Sequence, residues 1–219
     1  VVLCALNIGC CFPLLAFGSG RIDSLKQVLN AATDKERVQV LNELSREYRY
    51  IALDSSFMYA QQAQVLADKL GDKLGIGFAL RSMGQVYENQ GKYDMALDHQ
   101  LRALVAFEAA DHLPGIASAS NLIGDIYRAQ EKYEKALANY HRALAIHRNM
   151  NNKERIATVL NNIAVCYMRQ KRYQEALDTL LYTETLYKEV GSTHIVWAWL
   201  NLSEYFVKRQ DFAQALSYA

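Results

Sequence analysis

Helix breakers are scarce in this chain. It has 2 prolines, Pro13 and Pro114, and 11 glycines in 219 residues, so long helices meet little interruption. An excess of one charge is also missing. Twenty-four Lys and Arg against 23 Asp and Glu leave a formal net charge of +1, which gives no polyelectrolyte field to attract nucleic acid. Cysteine is sparse: Cys4, Cys10 and Cys11 lie in the first eleven residues and Cys166 lies far from them. A lone Cys166 cannot close an internal disulfide, so cysteine usage fixes no redox compartment. The five histidines, His99, His112, His141, His147 and His194, make no pair at helical i, i+4 spacing, and no His-Glu-x-x-His run occurs. Zinc chemistry has no ligand set here. His99 and His141 are expected on helix surfaces.

Nucleotide-binding and catalytic motifs are missing too. Gly71, Gly75 and Gly77 faintly resemble a glycine-rich phosphate loop, but Leu80 occupies the third glycine's place and no strand precedes them. They read as a turn between helices. Cys166, beside Tyr167, reads as a buried and inert thiol. No cofactor, metal or catalytic residue is expected, and the fragment reads as non-enzymatic.

Residues 1–20 carry no charge. The apolar run up to Phe17, with Ala16 and Gly18 two apart, has the character of a secretory signal peptide whose basic leader is missing. A membrane anchor and a buried helix are the rival readings. A spanning helix wants ~20 apolar residues, whereas Asn7, Pro13 and three glycines interrupt this run. Lipid attachment at Cys10 or Cys11 is disfavoured, because Asn7-Ile8-Gly9 lacks the upstream Leu such sites use. The chain starts with Val and stops inside a helical pattern, so both ends are expected to be cut. An export signal would place the repeats outside the cytoplasm, in the periplasm or tethered to the membrane; the alternative is a cytoplasmic protein.

What the sequence has in abundance is self-similarity. Met83-Gly84-Gln85-Val86-Tyr87 returns as Ile123-Gly124-Asp125-Ile126-Tyr127 and Ile163-Ala164-Val165-Cys166-Tyr167, each 40 residues on, and Leu202-Ser203-Glu204-Tyr205-Phe206 follows at 39. Tyr93, Tyr133, Tyr173 and Phe212 stand nine residues after the small residue. Ala96-Leu97, Ala136-Leu137, Ala176-Leu177 and Ala215-Leu216 come three after those aromatics. Each unit reads as two helices and a short turn: a first helix such as 76–89, then a second such as 93–110 with an apolar stripe of Leu97, Leu101 and Leu104 ending at Glu108. Gly91 suits a left-handed helix stop. Glu131, Lys171 and Gln210 replace it in later units, where the turn is expected to take another shape. The small residues of the two helices let their backbones approach, and one unit cannot bury its apolar face without a neighbour.

This pattern resembles the tetratricopeptide repeat: a small residue, Tyr three later, an aromatic six beyond that and Ala three beyond again. That family's period is about 34 residues, so the chain looks like an extended variant. HEAT and armadillo repeats have periods of about 40–47 but lack this spacing. The resemblance implies an all-α fold, a right-handed superhelical solenoid of antiparallel helix pairs. Residues 38–219 would form the array, with units at 38–75, 76–115, 116–155, 156–194 and 195–219, the last incomplete. In the first, more degenerate unit, Leu41 to Tyr48 reads as the first helix and Asp54-Ser55-Ser56 as the cap of the second. Residues 21–37, with Leu25, Val28 and Leu29, would be a leading helix that caps the stack.

The resemblance further implies a concave groove lined by the first helices, binding a protein or peptide and no nucleic acid. Carried onto this sequence, its polar positions are Arg81, Gln85, Glu88 and Asn89; Asn121, Asp125 and Arg128; Asn161, Asn162 and Arg169; and Asn201, Glu204 and Lys208. The clamp by which some such domains hold a chaperone's terminal carboxylate is not matched, because Gln85, Asp125, Val165 and Glu204 stand where it needs Asn. The 40-residue repeats after an apolar leader are also similar to the sensory regions of bacterial two-component histidine kinases and cyclases. A stand-alone periplasmic or lipid-anchored assembly adaptor is one alternative. The non-catalytic part of an enzyme whose catalytic domain lies beyond Ala219 is another.

Overall fold

A computed structural model of the protein describes residues 12–219, with side-chain surroundings described from Gly20 onward. Most of the expected signal segment, residues 1–20, therefore lies outside the described residues. Among the described residues the structure is helical throughout, with α1 Phe12–Ala31, α2 Asp34–Tyr48, α3 Leu53–Leu70, α4 Lys73–Asn89, α5 Tyr93–Ala109, α6 Leu113–Ala129, α7 Tyr133–Asn149, α8 Lys153–Arg169, α9 Tyr173–Val190, α10 Ile195–Lys208 and α11 Phe212–Ser217. Among these residues no helix is long and apolar enough to cross a membrane.

Helices pair as hairpins (α2 with α3, α4 with α5, and so on to α10 with α11), and the hairpins stack. The backbones of the first helices also approach one another in sequence, α2 to α4, α4 to α6, α6 to α8 and α8 to α10, whereas no Cα atoms come within 8 Å between α3 and α5, α5 and α7 or α7 and α9. Helices α5 and α7 meet through long side chains such as Glu108 and Arg142. The first helices therefore form a crowded inner layer and the second helices a splayed outer one. That difference curves the array and makes its inner face concave.

Several boundaries differ from those read in the sequence, each for a local reason. First helices begin three residues earlier, at Lys73, Leu113 and Lys153. Asp72, His112 and Asn152 cap them by accepting the backbone N–H of Gly75, Gly115 and Arg155 at 2.9–3.0 Å. The leading helix stops at Ala31 rather than Arg37, because Thr33 and Glu36 form a capping box that opens α2 at Asp34. Helix α3 starts at Leu53, ahead of the expected Asp54-Ser55-Ser56 cap. Ser56 lies inside it and donates its hydroxyl to the Ser45 carbonyl at 2.8 Å. Leu101 is exposed rather than part of the buried stripe. The buried face of α5 is Ala96, Gln100, Ala103, Leu104 and Phe107, which rotates the stripe by about one residue. Of the three glycines read as a turn, only Gly71 ends a helix; Gly75 and Gly77 are buried inside α4.

The turns are more uniform than expected. Gly91 has φ of +72°, and Glu131, Lys171 and Gln210 hold the same left-handed conformation at +59° to +61°. The bonding pattern is shared as well. Lys171 N–H reaches the Met168 carbonyl at 3.1 Å and Arg172 N–H reaches Tyr167 at 2.9 Å, matching Gly91 to Glu88 and Lys92 to Tyr87. Packing prevails over local preference here, because the second helix must return at the angle that the small-residue contacts dictate.

Those contacts follow a rule of size. A Cβ on Gly84 would lie 2.6 Å from the Gln100 side chain, and one on Gly124 would lie 2.6 Å from the Tyr140 ring. Both partners are fully buried. At the equivalent places Ala164 stands sixteen residues before Leu180, which is smaller than Tyr140, and Ser45 fifteen before Ala60. Small first-helix residues are thus matched to larger second-helix ones. The leading helix α1 packs through Ile22, Leu25 and Leu29 onto Val40, Leu44, Tyr48 and Tyr59, while Val28 faces outward.

Candidate functional site: the concave face

Stacking brings the polar side chains of consecutive first helices side by side. Arg49 donates to Gln85 Oε1 at 2.7 Å and Arg81 to Ser118 Oγ at 3.4 Å. Asn162 donates to Asn121 Oδ1 at 3.3 Å, and Asn201 to Asn161 Oδ1 at 2.9 Å. Arg169 pairs with Glu204 at 3.6 Å, and Lys208 reaches the same carboxylate at 3.4 Å. Each rung links one unit to the next, so the inner layer carries a polar ladder on its solvent side. Asn89 stands apart, exposed at the end of α4.

The centre of the ladder is Asp125. It accepts hydrogen bonds from Tyr140 Oη at 2.8 Å, Asn121 Nδ2 at 3.0 Å and Asn162 Nδ2 at 3.3 Å, and it lies 3.5 Å from Arg128. Arg128 Nε in turn donates to Tyr140 Oη at 3.2 Å. Burial pushes the Asp125 carboxyl above its ordinary value, while the Tyr140 hydrogen bond and Arg128 pull the other way. Glu88 is raised to about 7, by burial first and by Asp125 second, with Arg128 opposing. Burial also raises Tyr140 strongly. Two acids and one arginine thus share a half-buried patch midway along the groove.

Ahead of that patch the face changes sign. A concavity of about 500 Å³ opens between α2, α4, α6 and α8, and the charged groups lining it are Arg46, Arg49, Arg81 and Arg155, with no carboxylate among them. The Arg81 guanidinium is lowered to about 10, chiefly by burial and then by Arg49, Arg46 and Arg155. His147, from the end of α7, also lines this space and is buried; burial and Arg155 lower it.

All thirteen residues expected on the groove from the sequence lie on first helices: Arg81, Gln85, Glu88 and Asn89 on α4, Asn121, Asp125 and Arg128 on α6, Asn161, Asn162 and Arg169 on α8, Asn201, Glu204 and Lys208 on α10. They fall into three local groups rather than one. The sequence reading missed Arg46 and Arg49, which lie in the degenerate first unit; aligning Ser45 with Gly84 would have found them. It missed Tyr140 and His147 because they arrive from a second helix, and Arg155 because the expected start of the fourth unit came after it. One other expectation changes. His99 is tucked in rather than on the surface, its ring centroid 5.0 Å from that of Tyr87, whereas His141 is exposed. Cys166 is fully buried, and burial raises its thiol to about 11.

The geometry meets a known family at this point. Residues 75–149, 115–181 and 155–219 each match the family model described as tetratricopeptide repeat. The chain belongs to the tetratricopeptide-repeat family. Residues 19–103 of this repeat protein also match the model of the SusR N-terminal TPR domain, which spans the leading helix and the units carrying Arg46, Arg49 and Arg81. No curated protein matches the chain in sequence. Among solved structures it is similar to BtubC (BKLC) from P. vanneervenii, at 17% identity over 94% of this chain and 86% of that one, with a TM-score of 0.75. The apo form of the quorum sensor NprR from B. thuringiensis aligns at 18% identity over 94% of this chain and 58% of that one, TM-score 0.71. A Rap protein complexed with Competence and Sporulation Factor aligns at 16% over 94% and 69%, TM-score 0.70. At these identities the likeness is one of fold.

Proposed function

We propose that this repeat array is an interaction scaffold that holds a peptide or protein segment on its concave face. We further propose that it serves as the exported sensory part of a bacterial signalling protein. The observation that carries the first statement is the ladder. The inner layer uses its apolar side chains for packing and turns amide, carboxylate and guanidinium groups to solvent in each unit, from Arg49 to Lys208. A face of this kind recognises extended backbone and polar side chains. The sensory reading rests on the uncharged segment before Arg21, on the match to the SusR domain and on the fold shared with a quorum sensor.

The scaffold reading is tested by exchanging charge on the two faces. Arg169→Glu with Lys208→Glu alters the concave side; Arg102→Glu with Lys135→Glu alters outer helices α5 and α7. Capture of a native partner by the immobilised chain is expected to fall about tenfold or more for the first pair, as the loss of one charge-assisted contact of ~1.5–3 kcal/mol implies, and to hold for the second. Equal effects from both faces would remove the concave face as the site. Fractionation of cells carrying the full gene tests export: repeats protected from externally added protease in intact spheroplasts would exclude it.

A further inference from the structure

We propose that the concavity between α2, α4, α6 and α8 binds an acidic peptide segment of a protein partner, with Arg49, Arg81 and Arg155 as the anion-holding groups. This rests on the scaffold reading and names the chemistry of what the first half of the groove accepts.

Four guanidinium groups line one space of about 500 Å³ with no carboxylate, in a chain whose formal charge is only +1. Their pairing is incomplete. Arg46 lies 3.6 Å from Glu47, which Arg21 approaches more closely at 3.2 Å. Arg49 meets the neutral Gln85, and Arg81 makes one long bond to Ser118. The Nε atoms of Arg49 and Arg81 are buried without a partner. Among the described residues the Arg155 guanidinium has neither an ion pair nor a hydrogen bond. Like charges gathered and half-desolvated without a counter-charge oppose folding, which the fall in the Arg81 value records. An incoming anion reverses that cost, and the guanidinium fork suits a carboxylate bidentately. A neighbouring cavity between α2 and α4 shares Arg46 and Arg81 and adds Lys35, but it holds Glu43 and Asp72 as well, so the excess of cations is much larger in the first space.

The rest of the face selects a peptide over a nucleic acid. Beyond Asn121 on α6 the groove runs into Asp125 and Glu88, so a uniform polyanion that entered at the arginines would meet acids next. A peptide acidic in one stretch and neutral or basic in the following one matches both regions. Leu122, Met150 and Val159 stand beside the arginines and offer apolar contact to side chains between the acids.

The test is fluorescence anisotropy of the full chain with a labelled hexaglutamate peptide, beside hexaglutamine and a single-stranded oligothymidine of similar length. The expected result is saturable binding of hexaglutamate that weakens as salt is raised, and no binding of hexaglutamine. Arg81→Gln with Arg155→Gln should weaken hexaglutamate about tenfold or more. If that pair lowers helicity, Arg155→Glu alone is read instead, since Arg155 is exposed. Unchanged affinity in the variants, equal binding of hexaglutamine, or oligothymidine binding as tightly as hexaglutamate would each overturn the proposal. A random peptide-display selection separates the two levels. Binders that crosslink to the concave face without enrichment in Asp or Glu would sink this inference and leave the scaffold reading standing. Binders that seat only elsewhere would sink both.

Discussion

Gly124→Ala is the substitution that most sharply tests how the two helices of a unit fit. Ala is the better helix former by about 1 kcal/mol, so on an open helix face the change would stabilise. Here the new methyl would lie 2.6 Å from Tyr140 Cε1 and 2.7 Å from Cδ1, inside any permitted contact. Tyr140 is fully buried and tied by its hydroxyl to Asp125 and Arg128, so the ring cannot retreat cheaply. Overpacking of this kind costs about 1–3 kcal/mol, which outweighs the propensity gain in most of that range. The chain supplies the compensating arrangement itself, because Ala164 faces Leu180 at the equivalent positions. Tyr140→Leu should therefore make Gly124→Ala neutral or stabilising. Urea unfolding of the four proteins in the cycle should give a favourable coupling of about 1–3 kcal/mol between the two changes. Additive effects, with Gly124→Ala no better tolerated in the Tyr140→Leu background than in the unaltered chain, would refute the size-matching rule.

Lys171→Gly should stabilise the chain, because a left-handed non-glycine costs about 1–2 kcal/mol and glycine's extra unfolded freedom returns about 0.5–1; denaturant midpoints measure the net gain. Glu88 retains its proton in the folded state up to about 7, whereas the ordinary value is 4.5. Between those values the unfolded chain has lost the proton and the folded chain has not, so this group makes stability fall as pH rises through the window. Glu88→Gln should flatten that slope in thermal melts from pH 4.5 to 7.5. Cys166 should resist an aromatic disulfide reagent in the native protein and react at full rate in denaturant, since the thiol is both buried and raised to about 11.

The repeat period and the small-residue spacing were enough to read the fold, because both register how closely two helix backbones can approach. Helix starts were less legible. His112 capping α6 through its ring is not a residue that capping preferences favour, and the three-residue advance of α4, α6 and α8 follows from such caps. The turns at Glu131, Lys171 and Gln210 were misread because local preference argues against a left-handed conformation that packing nevertheless imposes. The first-helix placement of the polar positions was legible by register alone, since they recur at similar places in every unit. The arginine cluster was not, because Arg46 and Arg49 belong to the unit with the weakest pattern and Arg155 to a stretch read as the end of the preceding unit. Charge summed along the sequence conceals what curvature gathers into one space.

If the inner layer of helices is the binding surface, a partner must touch it and leave the outer helices free. Photo-crosslinking reads this most directly, with a benzophenone side chain placed at Gln85, Asn121 or Asn161 on the concave face and at Leu101 or Leu181 on the exposed side of outer helices. One covalent partner band is expected from the three inner positions and none from the two outer ones. Bands from the outer positions, with the inner positions silent, would contradict it.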